Sequence, residues 1–137
     1  MKNRILTFVG SLLCLLGFAD ALYLTIKHYQ GIVPICSLTE GCDEVLTSSY
    51  ATLGDVPIAL FGTLYYLALL VFLHLPTRVS RGLFFVLVSL GLFASLGLTY
   101  LQFGVLQAIC VYCLGSAMIT FSLWIIGWLR LASGYQR

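Results

Sequence analysis

The sequence predicts an all-α integral membrane protein, a bundle of four transmembrane helices with a short amphipathic helix in the first extracytoplasmic loop. Of the 137 residues, 61% are hydrophobic and 9% are charged, whereas a soluble domain carries about 25% charged residues. The mean hydropathy is +1.04, so lipid is the expected solvent. The net charge of +2 is too small to indicate nucleic-acid binding. We expect a single domain over residues 1–137.

Four apolar stretches are long enough to cross a bilayer, which takes about 20 helical residues. They cover about residues 5–26, 57–75, 82–101 and 110–131. Helices are expected because an unclosed sheet would leave backbone groups unpaired in hydrocarbon. The alternative for the first stretch is a cleaved signal peptide with Ala19-Asp20-Ala21 as its cleavage site. The apolar run continues to Ile26, which favours a retained span.

The basic residues orient the predicted bundle. Six of the seven Lys and Arg residues fall on one side of the four spans: Lys2, Arg4, Arg78, Arg81, Arg130 and Arg137. The positive-inside rule makes that side cytoplasmic, together with both termini. The first and third connections then lie outside, which in a bacterial inner membrane is the periplasmic side, where disulfides persist.

About thirty residues connect the first two spans, which is long for a connection inside a bundle. From Gly41 onward we expect a short amphipathic helix on the membrane surface. Asp43 and Glu44 in its first turn would suit the helix dipole.

Four of the five cysteines form two close pairs on the predicted outer side. Cys36 and Cys42 lie in the first loop, and Cys110 and Cys113 open the fourth span. A helix N-terminus lowers the pKa of a thiol and favours the reactive thiolate. Two dithiols on one side indicate electron transfer between them. The alternatives are a static disulfide staple and a four-cysteine zinc site, although structural zinc prefers a closer spacing than that of the first pair.

An ordered set of motifs resembles the bacterial branch of the vitamin K epoxide reductase family. The match extends from about Ile5 to Arg130. Its motifs are Ala19–Leu24 in the first span, Cys36 and Gly41–Tyr50 in the loop, Val56–Gly62 entering the second span, and Cys110–Cys113 opening the fourth.

This resemblance implies a four-helix bundle around a quinone pocket on the extracytoplasmic side. It implies that Cys113 faces the quinone, with Cys110 as its partner. Cys42 would exchange with Cys110, and Cys36 would receive electrons from a thioredoxin-like, DsbA-type protein. The expected activity is that of a quinone-dependent, protein-disulfide-forming oxidoreductase. Its acceptor would be ubiquinone or menaquinone.

Some features depart from the family pattern. Many bacterial relatives carry a fused thioredoxin-like domain, and this chain ends at Arg137 without one, so we expect a separate donor protein. The vertebrate enzymes have Tyr at the position of Ala117 and Asn at the position of Ile58, which favours quinone reduction over the alternative of epoxide reduction. A disulfide-stapled membrane scaffold or binding protein without turnover is the alternative from another class.

Further residues are candidates for the same site. Asp20 is the acidic residue deep in an apolar span, and it is either a proton relay for quinone reduction or a structural carboxyl. Cys14 has no sequence partner and is expected to be a small buried hydrophobe. Four aromatic residues are either lining of a flat quinone pocket or plain core: Phe61, Tyr65, Phe103 and Tyr112.

Overall fold

A computed structural model describes residues 2–36 and 41–134, and its main elements are helices. Residues 37–40 of the first connection and Arg137, expected on the cytoplasmic side, lie outside the described residues. The helices are α1 (Lys2–Gln30), α2 (Cys42–Thr47), α3 (Ile58–His74), α4 (Arg78–Tyr100), which continues as a π-helical turn (Leu101–Leu106), and α5 (Val111–Gly134). The strands β1 (Thr52–Leu53) and β2 (Val56–Pro57) form a small hairpin.

Within the described residues, three helical segments are long and apolar enough to cross a membrane: Lys2–Gln30, Arg78–Leu106 and Val111–Gly134. The chain is therefore an all-α membrane protein, as predicted. Helix α3 has 17 residues, about 25 Å at 1.5 Å per residue, and is shorter than the hydrocarbon layer of about 30 Å. The count of four spans stays a prediction.

The helices pack as a bundle in which α1 contacts α3 and α5, and α4 contacts α3 and α5. The core consists of Cys14, Ala21, Tyr66, Leu69, Leu73, Phe84, Val88 and Leu123. Cys14 is fully buried there, so its prediction as a small buried hydrophobe is confirmed. Many large apolar side chains face outward along the same helices, as is expected where lipid replaces water.

Two neighbouring tyrosines of α3 are packed against glycines of other helices. A Cβ at Gly17 would overlap the ring of Tyr66, and one at Gly91 would overlap Tyr65. The Tyr66 hydroxyl lies 2.7 Å from Ser116 Oγ and 3.0 Å from Thr120 Oγ1 of α5. Tyr66 therefore joins α1, α3 and α5 at the level of the candidate site.

The first loop ends in a tight hairpin that leads directly into α3. Thr52 pairs with Pro57 in antiparallel register, and Gly54 takes φ = +69° in the turn, a conformation that glycine adopts without strain. The Ile58 N–H donates to the Ala51 carbonyl at 2.9 Å. The loop is thus held against the beginning of the helix.

Candidate redox site

The first cysteine pair is a disulfide. Cys36 and Cys42 are bonded, with a Cα–Cα distance of 6.1 Å, inside the usual range for disulfides. Cys42 is the first residue of α2 and is 1% exposed, whereas Cys36 is only partly buried. Of the two bonded cysteines, Cys36 is therefore the more accessible residue.

The second pair consists of two thiols at the beginning of α5. Cys110 is fully buried, and its carbonyl accepts the N–H of Leu114 at 3.0 Å. This bond makes Cys110 the N-cap residue, one position before the spanning helix. Cys113 follows one turn later and is only partly buried. The CxxC spacing thus gives its two sulfurs different environments.

The pKa of the Cys110 thiol is lowered to about 7, chiefly by a hydrogen bond with the Cys113 thiol. Burial acts in the opposite direction, and the backbone N–H groups of Cys113 and Tyr112 add to the lowering. These donors belong to the first turn of α5, where helix N–H groups have no partner within the helix. The neighbouring thiol and the first turn of α5 therefore favour the thiolate form of Cys110.

The two pairs lie at the same end of the bundle and touch through their flanking residues. A Cβ built on Gly41 would come within 2.6 Å of the Ile109 nitrogen and 3.0 Å of the Ala108 Cβ. From the other side, the Tyr112 hydroxyl donates to the Ile35 carbonyl at 3.1 Å. The residues next to Cys42 and next to Cys36 both contact the segment that carries the CxxC motif.

Gln102 is a residue of this site that sequence reasoning missed. Its side chain is 2% exposed, and its Oε1 accepts the Cys110 N–H at 2.9 Å. Its main-chain oxygen accepts the Ala108 N–H at 3.0 Å. The available signal was a carboxamide in a short connection eight residues before a CxxC motif, but only tertiary structure reveals its partner.

A cavity of about 790 Å³ opens beside the CxxC motif. Its wall combines the first loop and all four long helices, and it includes Cys113 but not Cys110. Apolar side chains such as Leu87, Leu90 and Leu98 contribute to the wall. The cavity is within the size range of small-molecule sites, and its largely apolar wall is typical of them.

The predicted pocket residues fall into two groups. Asp20, Phe61, Tyr65 and Tyr112 line the cavity. Phe103 does not occur in this lining, and 54% of its surface is exposed. The π-helical turn buries Gln102, the residue before Phe103, and the Phe103 side chain points outward. Phe103 therefore does not contribute to the cavity, contrary to its predicted place there.

Residues 8–128 match the model of a known family, described as the vitamin K epoxide reductase family. The chain belongs to that family. Its members are oxidoreductases that use quinones, which agrees with a membrane protein that carries two cysteine pairs beside an apolar cavity. A search among curated proteins finds no significant match.

The cavity of this vitamin K epoxide reductase family member suits a quinone. One carboxylate oxygen of Asp20 and the hydroxyl of Tyr65 are buried and have no hydrogen-bond partner among residues 2–36 and 41–134. Both residues line the cavity. A buried polar atom without a partner costs about 1–3 kcal/mol. A quinone carbonyl would accept a hydrogen bond from the Tyr65 hydroxyl or from Asp20 in its protonated form, so the residues fit the group that the family uses.

Proposed function

We propose that this chain is a membrane thiol-disulfide oxidoreductase that passes electrons from a thioredoxin-like, DsbA-type protein to a quinone and so supports disulfide bond formation. The electrons would pass through Cys36 and Cys42 and then through Cys110 and Cys113. The main support for this proposal is that the segments around the two cysteine pairs contact each other and that Cys113 lines the cavity. A static staple requires neither arrangement.

In the first exchange, a thiolate of the reduced donor attacks Cys36. The Cys36–Cys42 bond breaks, and Cys42 leaves as a thiolate. The second donor thiol then releases Cys36, so that two electrons have entered the loop pair. The partial exposure of Cys36 and the burial of Cys42 support this order, because exchange depends on which sulfur is accessible.

In the second exchange, the Cys42 thiolate attacks Cys110 of an oxidised CxxC pair, and Cys113 leaves. Cys36 then attacks Cys42, which re-forms the loop disulfide and leaves Cys110 and Cys113 as two thiols. The structure carries a loop disulfide and two CxxC thiols, the pairing expected after this transfer. The contact of Gly41 with Ala108 and Ile109 supports the short path that the attack needs.

A bound quinone, either ubiquinone or menaquinone, would supply an acceptor for two electrons and two protons. On the protein side, Cys110 and Cys113 give up these electrons as their disulfide re-forms. Tyr65 would donate a hydrogen bond into the cavity, and Asp20 would hold a proton there, because each has a buried polar atom that no described residue satisfies. The aromatic side chains of Phe61 and Tyr112 form part of the cavity wall.

We further propose that residues 1–137 form one domain in which α3 is the second of four spans. Both termini would lie in the cytoplasm and the cysteine pairs on the outer side of a bacterial inner membrane. The Arg81 guanidinium lies beside Gly134, so the beginning of α4 and the end of α5 adjoin. This end of the bundle, opposite the CxxC end of α5, holds basic residues, which supports the orientation.

The function is tested by mixing the purified protein, a quinone and a reduced DsbA-type protein and following quinone absorbance in a stopped-flow instrument. The Cys113→Ala variant should lose quinone reduction to below about 1% of the wild-type rate, since the thiol facing the acceptor is gone. Cys36→Ala should lose the reaction with the donor protein. It should retain reaction with dithiothreitol, which can reduce the CxxC pair directly.

The matched control is Cys14→Ser, since Cys14 is buried in the core and belongs to neither pair. Its turnover should stay within about twofold of wild type in folded protein. Undiminished quinone reduction by Cys113→Ala would refute the assigned role. Absence of any quinone reduction by the wild-type protein would favour the scaffold.

A further inference from the structure

The CxxC motif occupies the two positions that usually cap a helix. Cys110 is the N-cap residue of α5, as its bond from the Leu114 N–H shows, and Cys113 is therefore the third helical residue, N3. In a capping box these positions hold Ser or Thr and Glu or Gln, whose side chains bond reciprocally to the backbone N–H groups. Redox chemistry requires thiols at both positions, and a thiol is a weak hydrogen-bonding group. The helix therefore lacks the N3 side chain that would accept the N-cap N–H.

Gln102 provides this acceptor from outside the helix. Its Oε1 lies 2.9 Å from the Cys110 nitrogen, the bond that an N3 carboxamide would make in a capping box. The backbone after the π-helical turn folds back toward Gln102 at Gln107, which takes a left-handed conformation with φ = 50°. The bond of the Ala108 N–H to the Gln102 main-chain oxygen closes the same turn. A single buried residue thus holds both ends of the segment 108–110.

The first loop packs on that segment next to its disulfide. Gly41, the residue before Cys42, contacts Ala108 and Ile109, the two residues before Cys110. Exchange between two sulfurs needs in-line approach. A change in the backbone at Cys110 would therefore alter the angle and distance at which Cys42 meets it.

We propose that Gln102 is a positioning residue for disulfide exchange, which completes the capping box of α5 and fixes Cys110 where Cys42 reaches it. This proposal rests on the proposed function, because it assumes exchange between Cys42 and Cys110. It adds a residue outside the cysteine pairs, in the wall of the cavity, that serves the chemistry.

The test uses the Cys113→Ala protein with its loop disulfide formed, without quinone or donor. In this protein the Cys110 thiolate attacks Cys42, the Cys42–Cys110 bond forms, the Cys36–Cys42 bond breaks, and Cys36 leaves as a thiolate. Alkylation of Cys36, followed by mass spectrometry, gives the rate. No external oxidant is needed, because one disulfide replaces another.

Adding Gln102→Met, which keeps the length of the side chain but removes the acceptor, should slow Cys36 release about tenfold or more. The matched control is Gln107→Met in the same turn, whose side chain is exposed and should leave the rate unchanged. Gln102→Asn, which keeps a carboxamide but shortens its reach, should be slow as well and provides the test if the Met variant does not fold. Equal rates in wild-type and Gln102-substituted backgrounds would overturn the proposal.

A second readout follows the Cys110 amide proton by NMR in protein labelled with ¹⁵N-cysteine. This proton should exchange slowly in the wild type and in Gln102→Glu, which retains an oxygen at the same reach, and quickly in Gln102→Asn. Rapid exchange in the wild type would overturn the proposal. If the Cys113→Ala protein never forms the Cys42–Cys110 bond while the amide is protected as expected, the proposed function fails instead.

Discussion

At the residue scale, Tyr65 and Tyr66 are adjacent in the sequence and have opposite environments. The Tyr66 hydroxyl is bonded to Ser116 and Thr120, whereas the Tyr65 hydroxyl is buried without a partner among the described residues. One hydroxyl stabilises the bundle. The other lies against Gly91 beside the cavity and costs stability while it has no partner.

The substitution Tyr65→Phe should therefore stabilise the ligand-free protein or leave it unchanged, because it removes an unsatisfied hydroxyl. The same substitution should weaken quinone binding about two- to tenfold, as expected for the loss of one hydrogen bond to a neutral acceptor. Thermal unfolding in detergent and the quinone concentration at half-maximal rate measure the two effects.

The matched control is Tyr66→Phe, which should destabilise the protein by about 1–2 kcal/mol because it leaves Ser116 and Thr120 without their shared partner. If Tyr65→Phe loses as much stability as Tyr66→Phe, the Tyr65 hydroxyl has a structural partner. In that case its role toward the quinone would be refuted.

Sequence reasoning grouped Tyr65 with Phe103 as candidate pocket residues, and the two differ in the structure, where Tyr65 lines the cavity and Phe103 does not. The reason is local: the π-helical turn over Leu101–Leu106 changes the register of side chains by a fraction of a turn. Gln102 faces inward as a result, and Phe103 faces outward. The spacing of apolar residues in the sequence does not predict such a turn, because the turn depends on the hydrogen bonds of Gln102 to Ala108 and Cys110.

At the element scale, composition locates the helices well and their ends less well. The apolar stretch at 5–26 corresponds to α1 over Lys2–Gln30, and the stretch at 82–101 to α4 from Arg78 onward. Hydropathy identifies the part of a helix that lies in lipid, whereas its ends are set by caps in water. Thr77 is an example: its Oγ1 accepts the Ser80 N–H at 3.0 Å and begins α4 before the apolar stretch.

The contact between the first loop and α5 is a further feature that the sequence did not reveal. Tyr112 lies between the two CxxC cysteines, its hydroxyl donates to the Ile35 carbonyl at 3.1 Å, and its ring packs 5.6 Å from that of Tyr23. This bond links the residue before Cys36 to the turn that carries Cys110. It therefore holds the loop disulfide near the CxxC pair.

We expect Tyr112→Phe to release the loop without unfolding the bundle. One exposed hydrogen bond contributes about 0.5–1.5 kcal/mol, so the rate of exchange between Cys42 and Cys110 should fall about two- to tenfold. Hydrogen exchange at residues 32–36 should become faster, while the thermal midpoint stays within about 2 °C.

Tyr100→Phe is the control, since the Tyr100 ring is 70% exposed and its hydroxyl has no hydrogen bond among the described residues. It should leave both the exchange rate and the hydrogen exchange unchanged. If Tyr112→Phe behaves like this control, the loop is held by other contacts, and the bond to Ile35 is incidental.

At the scale of the whole molecule, the redox groups and most of the Lys and Arg residues lie at opposite ends of the bundle. The disulfide, the CxxC thiols and the cavity adjoin at one end, and Arg81 lies beside Gly134 at the other. Both cysteine pairs can occupy a single membrane side only if the chain crosses between them an even number of times. Helix α3 decides this, because its 17 residues are at the lower limit of what a full span requires.

We expect α3 to cross the membrane, since local thinning of the bilayer offsets a short hydrophobic segment at a modest cost. In a protein with all five cysteines replaced by Ser, single cysteines at Asp55 and Pro76 mark the two ends of α3, and both positions are exposed. A membrane-impermeant maleimide added to bacterial spheroplasts should label Asp55→Cys at once and Pro76→Cys only after permeabilisation. Labelling of both without permeabilisation would mean that α3 does not cross, and the proposed orientation of α4 and α5 would then be reversed relative to α1.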